Sequence, residues 1–208
     1  TRRQGLELGL NGQVGKFNLG AQYTWLDATY QSFDTVNGSG NSSNSSASVG
    51  TPGQDGTINI RPGDRMPLIP RQMLKLFADY TVSPAFTLNA SMVAMSGTLA
   101  RGNENGAHQP DGTYYLGSGR SAGYAVFNLG GSYRATPKLQ FTARIDNVFD
   151  TQYNTAAQLG ATGFDASGNF AARSLGGSSA SGFAVPQSTF YAPGAPRRFW
   201  IGLRYAFS

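Results

Sequence analysis

The last residues of the chain alternate with a period of two. Phe199, Ile201, Leu203, Tyr205 and Phe207 fall on every second position, and Trp200, Gly202, Arg204 and Ala206 lie between them. A β-strand sends successive side chains to opposite faces, so this segment builds one wholly apolar face and one mixed face carrying an arginine. A helix would scatter the same residues around its axis. An unbroken apolar face that ends on an aromatic suits a strand with lipid on one side and water on the other.

The same dyad recurs upstream and divides the chain into strands. Over 4–11, Leu6, Leu8 and Leu10 oppose Glu7; after the turn NGQVG, Phe17, Leu19, Ala21, Tyr23 and Trp25 oppose Asn18, Gln22 and Thr24 over 16–30. A third strand over 72–82 sets Leu74, Leu76, Ala78 and Tyr80 against Lys75, Asp79 and Thr81. A fourth over 86–96 sets Phe86, Leu88, Ala90 and Met92 against Thr87, Asn89 and Ser91. In a fifth, 124–134, Phe127, Leu129 and Tyr133 oppose Asn128, Ser132 and Arg134. In a sixth, 139–148, Phe141, Ala143 and Ile145 oppose Thr142, Arg144 and Asp146. With the terminal segment this predicts seven strands of about 9 to 14 residues, long enough to cross a bilayer when tilted.

The connections alternate in length. Tight turns follow the first, third and fifth strands, two of them built on Pro84 and Pro137, which fix φ and end the ladder. Long segments over 31–69, 97–121 and 150–196 follow the others. Short turns on one side and long loops on the other are the asymmetry of outer-membrane barrels. A soluble β-sandwich also alternates, but its loops are mostly short at both ends. The Ser/Asn-rich stretch NGSGNSSNSSASVG lacks the apolar area to order itself as a core. Aromatics gather near strand ends as two candidate interfacial girdles. Phe17, Tyr80, Phe86, Tyr133, Phe141, Tyr205 and Phe207 lie on the tight-turn side, and Trp25, Tyr30, Phe149, Phe199 and Trp200 on the loop side.

Composition narrows the function. Charged residues make up 13% of the chain, about half the share usual in a soluble domain. No apolar run approaches the roughly 20 residues of a spanning helix. The net charge of +5 would suit a nucleic-acid partner, but the 16 Lys and Arg are dispersed, with no basic run, so nucleic acid is not expected. The single histidine, His108, has no second histidine or cysteine to join it, which excludes a metal centre or Cys/His pair of usual composition. Glu104 and Asp111 flank it in a polar loop, where carboxylates are usually solvated. No G-x-S-x-G elbow on a strand–helix turn supports a triad through His108, and no phosphate-cradling glycine loop with a following Lys-Ser/Thr is present, so neither catalysis nor a bound cofactor is expected.

Seven is an odd number, so the first and last strands run parallel and cannot close an all-antiparallel ring. Unpaired edges within hydrocarbon cost several kcal/mol per group. The expectation is an all-β, open and curved antiparallel sheet that is one part of a larger barrel.

Several segments resemble one family. QGLELGLNG with FNLGAQYTWLDATY resembles a "GxE…YxxxDA" strand pair of TonB-dependent outer-membrane receptors. GDRMPLIPRQMLKLFADY resembles their "G-x-R-x-P-x-I-P-R" entry to a strand. LQFTARIDNVFDTQY is similar to their "N-(L/V)-F-D-x-x-Y" signature, and APGAPRRFWIGLRYAF to their closing "P-G-x-P-R" strand. The resemblance runs the length of the chain. It implies that residues 1–208 are the C-terminal portion of a 22-stranded barrel whose plug domain lies elsewhere. It also implies a Gram-negative outer-membrane location and TonB-coupled uptake of a scarce nutrient such as a ferric siderophore. The implied partners are outer-membrane lipid, TonB acting through the plug region, a small metal chelate, and the barrel assembly machinery. That machinery would read Phe199, Ile201, Leu203, Tyr205 and Phe207 as the assembly signal, although Ser208 follows the terminal aromatic. A passive porin-like channel or structural barrel without TonB coupling is the alternative.

Two sets of residues are candidates for function. Glu7, Lys75, Asp79, Arg134, Arg144, Asp146 and Arg204 share the polar register and are expected to face the lumen, pairing with one another or with a plug. Tyr114, Tyr115, Phe164, Phe170, Phe183, Phe190 and Tyr191 lie in the long loops, where exposed aromatics can grip a flat ligand. Asn147, Phe149, Asp150 and Tyr153 read as architecture, since Asn and Asp at a strand end bond their own backbone and turn the chain.

Overall fold

The computed structural model describes residues 1–45, 56–170 and 186–207. Its strands, in chain order, are β1 (Arg2–Val14), β2 (Phe17–Thr29), β3 (Asp34–Asn37), β4 (Thr57–Ile60), β5 (Gln72–Ser83), β6 (Phe86–Met95), β7 (Thr98–Leu99), β8 (Arg120–Ser121), β9 (Tyr124–Thr136), β10 (Leu139–Asp146), β11 (Asn154–Ala161), β12 (Gln187–Pro193) and β13 (Arg198–Tyr205). Seven of them form one antiparallel sheet in the order β1-β2-β5-β6-β9-β10-β13. These are the seven strands expected from the dyad, and β1 and β13 are the two edges.

The register carries the alternation across the whole sheet. Leu8 faces Tyr23, Tyr23 faces Leu74, Leu74 faces Ala94 and Ala94 faces Ala125. Farther along, Ala90 faces Leu129, Leu129 faces Ile145 and Ile145 faces Phe199. Every link joins apolar residues, so one face of the sheet is apolar from edge to edge. It is also uncovered, with Ile201 89% and Phe207 91% exposed. A slip of one residue in any strand would turn its polar set onto that face, which is why the register is so strongly specified.

The tight turns collect at one end. Phe17 stacks on Tyr80 at 4.5 Å, Phe86 faces Tyr133, Tyr133 faces Phe141, and Tyr205 meets Phe207 edge-on at 4.9 Å. The aromatics expected there thus gather at that end in three neighbouring groups. At the other end Phe127 and Phe149 contact edge-on at 5.4 Å and Phe199 is exposed. Trp200 is not part of that second belt: it sits on the polar register opposite Arg144, with its indole N–H donating to Asp146 Oδ2 at 2.9 Å. Tyr30 is half-buried among the loops. The first turn is shorter than its glycines suggest, because Asn11, Gly12 and Gln13 stay paired with Gly20, Leu19 and Asn18 and leave only two residues to reverse the chain.

Phe77 is one of several large apolar residues on the polar register, Leu26, Met73, Val93 and Met95 among them. Gly20 pairs with Phe77, and a Cβ on Gly20 would run into the Phe77 ring. The glycine is what lets that ring lie flat across its neighbour.

The core lies at the loop end, not between layers of sheet. Ile58, Ile60, Leu99, Ala100, Tyr115, Ala157 and Leu159 are buried there. Three short hairpins, β3–β4, β7–β8 and β11–β12, rise from the long connections and meet above the sheet.

Candidate functional site

The long connections are one packed cluster. Arg101 donates its backbone N–H to Ala157 at 2.9 Å and accepts one from Leu159 at 2.8 Å, while Leu116 and Gln187 exchange bonds with the same neighbourhood at 2.7 Å. These short parallel bridges join the second loop to the third. The first loop is attached through side chains. Asn41 Nδ2 donates to Gly102 O at 3.0 Å, its Oδ1 accepts from Ser43 N at 3.0 Å, and Asn44 Nδ2 donates to the Tyr115 hydroxyl at 2.9 Å. Asn41, Asn44 and Asn103 are 0%, 1% and 0% exposed. The part of the Ser/Asn-rich stretch within the described residues is therefore ordered, although it has too little apolar area to form a core of its own. Its order comes from polar bonds to its neighbours, where burial without a partner would cost about 1–3 kcal/mol per group.

His108 is a structural member of this cluster. Its Nδ1 accepts from Ser42 N at 3.1 Å, and its Nε2 donates to Gly117 O at 2.9 Å. That pair of bonds requires the neutral ring. Burial lowers its pKa from 6.5, outweighing the bond to Gly117 and the charge of Asp111, which act the other way. Burial also acts to raise Asp111, but three backbone N–H groups, of Tyr115, Thr113 and Tyr114, prevail and hold its carboxyl low. Glu104 differs from the solvated carboxylate expected: its Oε1 accepts from Gly102 N at 2.9 Å and its Oε2 is buried.

The loop aromatics fall into two groups. Tyr114, Phe164, Phe170, Phe190 and Tyr191 are exposed, with Phe164 and Phe170 edge-on at 6.2 Å. Tyr115 is 3% exposed and enclosed in the cluster. Phe183 and Ser208 lie outside the described residues. Of the polar-register set, Arg144 and Asp146 are hydrogen-bonded, and Asp146 also meets Arg198 at 3.5 Å. Asp79 accepts from Asn18 at 3.3 Å. Glu7 stands opposite Thr24, Lys75 between Gln22 and Val93, and Arg134 and Arg204 on either side of Gln140. At the rim, Arg71 pairs with Asp27 at 3.0 Å. Burial, then the charges of Arg71 and Arg120, lower Arg65, against the pull of Asp27.

The NVFDTQY segment closes the third loop at its root. Asn147 and Asp150 both take positive φ, 52° each. Asn147 Nδ2 donates to Ala195 O at 3.1 Å, Asp150 Oδ1 accepts from Arg197 N at 2.9 Å, and the Tyr153 hydroxyl accepts from Ala195 N at 3.3 Å. Gly194 passes so close to the Tyr153 ring that any Cβ would collide with it. Residues about 50 positions apart are thereby clasped.

Sequence reading missed the buried asparagines, Gln187 and Thr189. A dyad signal existed for Ile58 and Ile60 in TINI, but four residues are too few to stand out from loop composition.

These features define a class, the wall of an antiparallel membrane barrel with its outer loops packed over one end. Residues 1–148 match the family described as TonB dependent receptor-like, beta-barrel. The chain belongs to that family, whose members are Gram-negative outer-membrane proteins, so its apolar face is the lipid face. It is 27% identical over 161 residues, 76% of its length and 18% of the relative's, to a probable TonB-dependent siderophore receptor, PiuA, of Acinetobacter baumannii. The crystal structure of the siderophore receptor PiuA from Acinetobacter baumannii superposes over 98% of this chain and 21% of that one, with TM-score 0.58 and 18% identity. FpvA of P. aeruginosa bound to heterologous pyoverdines superposes over 98% and 19%, with TM-score 0.53 and 16% identity. The chain spans about a fifth of the length of these relatives.

Proposed function

We propose that the chain is the C-terminal part of an outer-membrane receptor that captures a scarce nutrient, such as a ferric siderophore, and imports it with energy delivered through TonB. The observation that carries this reading is the packed cluster of three outer loops above a wall of the TonB-dependent receptor family. A passive pore needs an open mouth, whereas interlocked loops presenting Tyr114, Phe190 and Tyr191 suit recognition of a specific ligand. In this reading Glu7, Lys75, Asp79, Arg134, Arg144, Asp146 and Arg204 line the lumen, where TonB-driven movement of a plug opens the path. Outer-membrane lipid and the barrel assembly machinery are further partners, the latter through the β13 alternation.

The test is uptake of labelled ferric siderophores by cells that make the full receptor. Uptake should stop when the proton-motive force is collapsed; uptake that persists would support a passive channel and overturn the proposal. Replacing Tyr114 and Tyr191 together by alanine should weaken ligand binding by roughly 10-fold or more, the loss of about 0.5–1.5 kcal/mol per aromatic contact beyond buried area. Unchanged affinity would remove these residues from the ligand surface.

A further inference from the structure

At the loop end of the apolar face the side chains change character by steps. Leu6 stands opposite Trp25, and Trp25 opposite Gln72. Two residues farther out Gln4 faces Asp27, and two beyond that Arg2 faces Thr29, whose other neighbour is Arg65. Cross-strand partners share a face, so Arg2 and Arg65 flank Thr29 on the register that turns Leu8, Tyr23 and Leu74 to lipid. The row lies four residues beyond Trp25, about 13 Å along the strand and about 10 Å higher at the usual barrel tilt. Acyl chains end near an aromatic belt, and the layer above it holds the charged headgroups.

Two more arginines reach this row. Arg71 pairs with Asp27 at 3.0 Å, and Asp27 is on the same face two residues below Thr29. Arg120 stands opposite Leu99, whose carbonyl accepts from the N–H of Leu68, three residues on from Arg65. The charges of Arg71 and Arg120 both act on Arg65, and among the described residues Asp27 is the carboxylate that opposes them. Arg65 is half-buried, yet its guanidinium has neither an ion pair nor a hydrogen-bond partner among the described residues. Arg2 likewise has no ion pair there. A guanidinium partly withdrawn from water favours an anion that its fork can grip at two points, and phosphate has that shape. Cargo inside the lumen would not meet these groups, because Arg2 and Arg65 lie on the outward register. We propose that Arg2, Arg65 and Arg120, with Arg71 beside them, hold a phosphate group of an outer-leaflet lipid whose acyl chains run down past Trp25 and Tyr23. The inference needs the outer-membrane location of the family and not the transport reading.

The test is a binding titration of the full receptor in detergent micelles with diphosphoryl lipid A. The same lipid stripped of its phosphates, and inorganic phosphate, are the comparisons. The phosphorylated lipid should bind more tightly than the stripped one by about tenfold or more, as expected for charge-assisted hydrogen bonds. Arg65→Gln combined with Arg120→Gln should remove about tenfold of that affinity and leave binding of the stripped lipid unchanged. Arg61→Gln, at an exposed arginine of the same loop outside the row, should change neither. Equal binding of the two lipids, unchanged affinity in the double variant, or an equal loss in Arg61→Gln would each overturn the proposal. Inorganic phosphate that displaces the lipid at equal concentration would show that the arginines hold a free anion, and would overturn it too. If the double variant does not fold, Arg2→Gln, at an exposed position, serves in the same titration, and unchanged affinity there overturns the proposal. The titration needs no energised transport, so the two readings fail separately. Lost uptake coupling with intact lipid binding counts only against the transport function, and lost lipid binding with intact coupling counts only against this site.

Discussion

The sheet and the loop cluster are both ordered, but by opposite means. In the sheet, seven strands repeat one rule: alternate residues make a face that is apolar from edge to edge, and the residues between them carry most of the polar side chains. In the cluster no repeat exists, and a handful of buried amides and one imidazole hold three chain segments together through bonds spanning more than 60 positions. A wall of this kind depends on pattern and tolerates exchange of like for like. A knot of this kind depends on particular atoms.

The sharpest way to break the contrast is to place a charge on each face of the wall. Ile201→Arg should destabilise the barrel by about 2–4 kcal/mol if its face meets the acyl chains. Thr142→Arg on the other face should cost far less; both are measured by denaturant titration of the full receptor in lipid. Equal costs would mean that the faces are misassigned. Next in size is Asn41→Ala, which leaves Gly102 O and Ser43 N without their partner. It should lower the opening free energy of the loops by about 1–3 kcal/mol in hydrogen exchange and leave the sheet amides unchanged. Slower exchange in the loops, or faster exchange in the strands, would show that the two regions are not separate in stability.

A smaller effect is expected from acid. The His108 ring is neutral when packed and its pKa is lowered, so the opened loops bind a proton more readily than the packed ones. Its stabilising contribution is complete above pH 6.5 and is lost as pH falls through 6.5 toward the lower packed value. The protection factor of the Ser42 amide, its rate corrected for intrinsic exchange at each pH, should fall over that range, and His108→Asn should flatten the dependence. Smallest is Arg71→Met, which removes the exposed pair with Asp27. The cost should be no more than about 1 kcal/mol and should vanish in high salt.

The same contrast explains what could be read in advance. Leu6, Leu8 and Leu10, or Phe199, Ile201 and Leu203, announce a strand because neighbours two apart carry the signal, and local signals survive in a sequence. Even the turn ends were nearly placed, with β1 running three residues past its expected end because Gly12 still pairs with Leu19. Asn41 and Asn103 announce nothing, because each makes sense only beside the other. Stretches rich in Ser, Asn and Gly look alike whether or not a partner sits opposite. Glu104 was misjudged for the same reason, since its burial is a property of three loops and not of its own surroundings in the chain. Trp200 was legible by parity and misplaced only when aromatic character was given more weight.

The clasp at the base of the third loop has a practical corollary. Because Asn147, Asp150 and Tyr153 grip Ala195 and Arg197 at the root, the two ends of the third loop are held together independently of its length. Extending a loop whose ends are already fixed costs little, since closure entropy grows only with the logarithm of length. A foreign peptide spliced into the turn at Gly168, which lies outside the buried contacts of the loop cluster, should therefore be accommodated while the protein continues to assemble.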